Sequence, residues 1–136
     1  PGNRFWPALF AAGFTPRRMF PCEQRELPGW GLGITNLVDR ATAAADELSA
    51  AEVVAGRARL EEKARRWRPR VVAVLGVGAY RRAFGEAGAG VGLQSARLGD
   101  SRVWVLPNPS GLNAHYQPAE LGRLFGELRE AVNRLR

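Results

Sequence analysis

The 136-residue chain predicts an α/β fold, a three-layer sandwich around a central, mostly parallel sheet. Two observations carry that expectation. Short apolar runs alternate with longer segments whose apolar residues recur at helical spacing, and the order strand, helix, strand, helix links parallel strands through crossovers. One run, Val71-Val72-Ala73-Val74-Leu75, is unbroken in its apolarity, as in a strand covered on both faces.

Each element has its own local reason. From Asn3 to Gly13, Phe5, Trp6, Leu9 and Phe10 recur at helical spacing and a glycine closes the segment. Gly33 to Val38 is short, apolar and partly β-branched, and reads as a strand. Ser49 to Trp67 is the longest helical segment. Its Ser49-Ala50-Ala51-Glu52 opening has the spacing of a capping box, and Val53, Val54, Leu60 and Trp67 form an apolar face among arginines and glutamates. Arg70 to Leu75 is the buried strand, and Gly76-Val77-Gly78 turns it into a helix through Arg82 and Phe84. A glycine-rich segment leads to the last strand, Ser101 to Leu106, and Pro118 to Leu135 closes the chain as an amphipathic helix. Open sheets of this kind bind ligands at the carboxyl ends of their strands. The loops that begin near Asn36, Gly76 and Asn108 are therefore expected to converge there.

Composition narrows the function classes. With 46% hydrophobic residues and no apolar run long enough to span a bilayer, the chain reads as one globular domain, residues 1–136, without a membrane partner. The formal net charge is +7 and the isoelectric point about 11.1. Lys63 is the only lysine among 20 basic residues, so the charge is almost entirely guanidinium, which suits bidentate phosphate contact. Cys22 stands alone, which excludes an internal disulfide and a cysteine-cluster metal site, fits a cytoplasmic location and reads as a small filler residue. His115 is the only histidine, so no histidine zinc site can be built from this chain. Gly76-Val77-Gly78 lacks the third glycine of a dinucleotide fingerprint and reads as a tight turn.

The most informative stretch is Val103-Trp104-Val105-Leu106-Pro107-Asn108-Pro109-Ser110-Gly111-Leu112-Asn113. A hydrophobic strand ends there in a turn of small and polar residues. The two prolines stiffen the backbone on either side of Asn108, whose amide offers the donors and acceptor that a nucleobase edge requires. Ser110 and Gly111 permit close approach to a phosphate, and Leu112 is either a wedge for a base stack or a residue folded back onto the core.

Asn108-Pro109-Ser110-Gly111-Leu112, preceded by Val103-Trp104-Val105-Leu106-Pro107, resembles a signature of the mismatch-specific uracil-DNA glycosylases, relatives of thymine-DNA glycosylase. Three further segments match in the same order: Pro1-Gly2-Asn3-Arg4-Phe5-Trp6, Gly33-Ile34-Thr35-Asn36-Leu37-Val38-Asp39-Arg40, and Val74-Leu75-Gly76 with Ala79-Tyr80. The resemblance spans nearly the whole chain. It implies a uracil-DNA glycosylase-like fold and hydrolysis of the N-glycosidic bond of uracil mispaired with guanine, and thymine or another modified pyrimidine is a further candidate substrate. The partner would be double-stranded DNA with a mismatched or deaminated base, bound by a monomer that needs neither metal nor organic cofactor. In that family a Gly-Ile-Asn-Pro-Gly motif, whose asparagine positions the attacking water, precedes the first matching segment. The chain is accordingly expected to be the C-terminal part of a longer polypeptide.

The resemblance assigns Asn36 to recognition of the base edge, Asn3 to the wall of the same pocket, and Asn108 and Ser110 to the flipped nucleotide or its phosphates. Gly111, Leu112 and Asn113 would enter the duplex. Asp39 is the candidate catalytic residue, polarising a water or stabilising the cationic sugar. Each assignment has a plainer counterpart: Asn36 as a strand cap, Asn3 as the N-cap of a helix beginning at Arg4, Asp39 as an ion pair with Arg40. A non-catalytic nucleic-acid-binding domain of the same fold is the alternative function, and a nucleotide-binding enzyme with a doubly wound sheet is a second.

Overall fold

A computed structural model describes residues 4–37, 49–110 and 115–135. Asn3, Asp39, Gly111, Leu112 and Asn113 lie outside the described residues. The described elements are helix α1 (Phe5–Ala11), a 3₁₀ segment (Pro21–Trp30), helix α2 (Ala50–Trp67), strand β1 (Val71–Leu75), helix α3 (Val77–Phe84), strands β2 (Gly92–Leu98) and β3 (Ser101–Leu106), and helix α4 (Pro118–Arg134). They pack as two compact units, Pro1–Thr35 with Pro107–Arg136, and Asn36–Leu106. No helix among the described residues is long and apolar enough to cross a membrane.

The Asn36–Leu106 unit is α/β, and its sheet is small and mixed. The strand order is β1-β3-β2, with β1 parallel and β2 antiparallel to β3. Pairing of Val71 with Arg102 through Leu75 with Leu106 fixes the parallel register. It places Val72 and Val74 beside Val103 and Val105 on one face, where they join Leu98, Tyr80, Phe84, Val53 and Ala64 in the core. Two-residue periodicity therefore selects the buried face and α2 and α3 supply its cover. Tyr80 and Phe84 stack at 4.4 Å, and Arg57 lies 4.5 Å from the centre of the Phe84 ring. Burial pushes the Tyr80 phenol pKa up.

Three expectations change. Residues 33–37 are irregular rather than a strand, because β-branched residues make a strand only when a ladder is there to pair with them. β1 is an edge strand, with Ala73 exposed and Val71, Val72 and Leu75 half-buried, instead of a strand enclosed on both faces. The glycine-rich stretch before Ser101 is itself strand β2, joined to β3 by a hairpin in which Gly99 adopts a φ of 60°. The helices follow their sequence signals more closely. Ser49 Oγ accepts from the Glu52 amide at 3.1 Å while the Ser49 amide donates to the Glu52 carboxylate at 3.1 Å, so the capping box is complete. Gly76, at a φ of 122°, makes the one-residue turn from β1 into α3, which bears out the tight-turn reading.

In the other unit α1 packs on α4. The buried stripe Leu121, Phe125, Leu128 and Ala131 faces Trp6, Ala8 and Leu9, and Phe5 meets Phe125 edge-on at 6.3 Å. The 3₁₀ segment buries only Leu27 and leaves Cys22 exposed, so Cys22 is not a core filler. Arg17, bonded to the Glu23 carboxylate at 2.7 Å, and the Phe20 amide hold that carboxyl below its usual range.

Two glycines separate space from propensity. A Cβ on Gly56, inside α2, would stand 2.1 Å from the Leu37 carbonyl oxygen, whereas one on Gly78 would meet nothing within 4 Å. Gly56→Ala is expected to cost about 1–3 kcal/mol despite its better helix propensity, and Gly78→Ala to gain up to about 1 kcal/mol. Paired urea denaturation curves check both signs.

Candidate nucleic-acid interface

The loop that follows β3 is built around one arginine. Arg4 precedes α1 as its N-cap residue and its side chain makes no cap bond; the expected helix start at Arg4 thus moves to Phe5. Its guanidinium turns instead to the loop. The Arg4 amide donates to the Pro109 carbonyl at 2.9 Å, and Nε donates to the same oxygen at 3.3 Å. One terminal nitrogen donates to the Ser110 carbonyl at 2.7 Å and the other to the Tyr116 carbonyl. A planar, permanently charged fork can serve several carbonyls at once, which a lysine ammonium cannot do in one fixed plane. Residues 110 and 116 are thereby fastened to the same side chain.

Within the loop, the Ser110 amide donates to Asn108 Oδ1 at 3.0 Å. This is an Asx turn, the local bond that makes asparagine a turn residue. Pro107 and Pro109 are buried while Asn108 between them is exposed. The prolines fix φ and tie the backbone inward, so the one outward residue is the amide. Asn108 and Ser110, singled out from the sequence, are thus brought together. The Asn108 acceptor already serves the loop, a use that sequence reasoning did not foresee.

The other candidates divide. Asn36 is exposed in irregular backbone at the start of the Asn36–Leu106 unit and follows no strand. Leu37 beside it packs into that unit's core, and its carbonyl lies against Gly56 of α2. His115 is exposed at a turn. The roles of Asn3, Asp39, Gly111, Leu112 and Asn113 fall outside the described residues. Among the described residues no group of three or more His, Cys, Asp or Glu side chains is placed to hold a metal ion. Arg4 is the residue that sequence reasoning missed, since no spacing links it to a loop 105 positions away.

Removing the fork strands several carbonyls in a half-buried place. Arg4→Ala is expected to cost about 2–4 kcal/mol, because hydrogen bonds to charged groups are worth more than neutral ones and the stranded carbonyls lose their partners. Arg4→Lys should recover only part. Hydrogen exchange of the Ser110 amide should accelerate in both variants, and unchanged exchange would show that the loop does not depend on the fork.

The stiff Asn-Pro-Ser loop and its arginine anchor belong to a chain that matches one family model almost from end to end. Residues 1–135 match the uracil DNA glycosylase superfamily, and the protein is a member of that superfamily.

Proposed function

We propose that the protein is a DNA glycosylase that removes uracil mispaired with guanine by flipping the nucleotide out of the duplex and hydrolysing its N-glycosidic bond. Membership of the superfamily over residues 1–135 carries this reading. The exposed, proline-flanked Asn108 and the arginine-rich composition support it. A base within a duplex cannot be reached by a water, so it must leave the stack, and a mismatched base leaves at lower cost than a paired one. Rupture of the bond leaves an electron-poor sugar and an anionic base. The water oxygen bonds to the sugar carbon and loses a proton, the electron pair of the broken bond stays with the base, and that base anion ends by taking up a proton, so that the net products are the sugar hydroxyl and the neutral base.

The residues divide this work. Asn36 binds the base edge and stabilises the charge that develops on the base oxygens, and Asn3 takes part in holding the base. Asp39 polarises the water or stabilises the cationic sugar. Asn108 and Ser110 hold the flipped nucleotide, and Gly111, Leu112 and Asn113 fill the space it vacates. None of these steps calls for a metal or organic cofactor.

Uracil opposite guanine in duplex DNA should yield an alkali-labile abasic site, with the same rate in EDTA. Intact DNA binding with no abasic product from any deaminated base would leave a non-catalytic DNA-binding domain. Asp39→Ala should slow excision more than it weakens binding, and Asn36→Ala should change base preference as well as rate.

Leu112→Ala separates wedge from core. As a wedge, its loss leaves the melting temperature nearly unchanged and reduces excision from duplex far more than from single-stranded DNA. As a core residue, its loss costs about 2–5 kcal/mol and slows every substrate in proportion.

A further inference from the structure

Three features that each cost stability gather at the amino-terminal end of β1 and β3. Trp67, the last residue of α2, is 72% exposed, with the Arg66 guanidinium 5.1 Å from its ring centre. Arg68 follows at a φ of 52°, the only non-glycine residue in the left-handed region among the described residues. Glycine or asparagine ordinarily caps a helix there, because a Cβ is strained in that conformation. Arg97 and Arg102 stand directly opposite each other across the β2–β3 ladder, a like-charge pairing that opposes strand association.

The backbone beneath these side chains is rigid. Ser101 Oγ donates to the Pro69 carbonyl at 2.6 Å, and the Arg102 amide donates to the Arg70 carbonyl at 3.0 Å. Arg65 is neutralised by Glu61 at 2.9 Å, but Arg66, Arg68, Arg70 and Arg102 pair with no carboxylate among the described residues. Asp100 in the adjoining hairpin is the nearby acid in sequence, and its carbonyl accepts from Arg97. An exposed aromatic ring with Arg66 against it, followed in the same turn by exposed Arg68 and Arg70, makes a surface that binds a flexible polyanion with flat, apolar groups.

We propose that the Arg66-Trp67-Arg68-Pro69-Arg70 turn is a second nucleic-acid contact that takes single-stranded DNA, one base stacking on Trp67 and neighbouring phosphates on the arginines. An indole face needs the face of an unpaired base, which a closed duplex does not present. At about 3.3 Å per residue, the length of β3 separates this surface from Leu106, where the chain leaves for the Asn108 loop. The choice of DNA as the polyanion rests on the proposed function, while stacking and charge stand on the geometry alone.

Binding of oligothymidylate, followed by tryptophan fluorescence across a salt series, tests the surface without any need for excision. Quenching should occur in the parent and be largely lost in Trp67→Phe relative to the parent signal, and Trp67→Ala should weaken binding about tenfold. Replacing Arg66, Arg68 and Arg70 together should flatten the slope of log affinity against log salt by about 2. Arg68→Gly keeps folding out of the comparison. It relieves the left-handed strain, so the melting temperature should hold or rise while affinity falls. Affinity and quenching that survive these substitutions, or binding of phosphatidylserine vesicles with none of oligothymidylate, would overturn the proposal. Excision from a short U·G duplex, unchanged in the Arg68→Gly protein, reports separately on the glycosylase reading.

Discussion

The Asn108 loop depends on a single fork of hydrogen bonds from Arg4. The loop has little of its own to hold it: two prolines restrict its backbone, and one Asx turn links Asn108 to Ser110. Those constraints shape a few residues but do not fasten the loop to anything. The guanidinium does so, at Pro109, Ser110 and Tyr116. Because the same residue immediately precedes α1, which packs on α4, the loop inherits the stiffness of two packed helices. Reactive or recognising side chains work best when their support is fixed before the ligand arrives, since ordering them at binding would consume affinity.

The second unit solves a different problem, that of presenting chain ends from a sheet of only three strands. β3 is the central strand and carries the fully buried Val103 and Val105, while β1 and β2 form the two edges. Two helices cover one face, and Gly76 lets the first strand enter a helix within one residue because its φ of 122° is open only to glycine. Short turns of this kind leave little slack. Irregular backbone at residues 36–37 opens the unit, and irregular backbone at residues 107–110 follows it.

What could be read from the sequence was whatever local chemistry encodes. The capping box at Ser49 and Glu52, the apolar runs of β1 and β3, the glycine at the head of α3 and the stripe on α4 all carry their signal within a few residues. The misreadings share one cause, which is that strands are completed by their neighbours. Gly92–Leu98 has one large apolar residue at each end of a polar run and pairs because β3 offers it a ladder, whereas Ile34 and Thr35 have β-branched side chains and no ladder. At the site, Asn108 and Ser110 were legible because their chemistry sits in one contiguous loop. Arg4 was not, since its partners are main-chain carbonyls that leave no mark on residue identity.

The contact between Gly56 and the Leu37 carbonyl sets where Asn36 can stand. A helix that offers a notch in place of a side chain lets the main chain of residues 36–37 lie directly on its surface, so the segment is seated by its peptide oxygen as well as by the Leu37 side chain. Side chains at 36 can then change without disturbing the seat, and the seat can be changed from position 56 without touching the segment. What residue 36 presents and where it stands are in that way set by different stretches of sequence, free to vary independently.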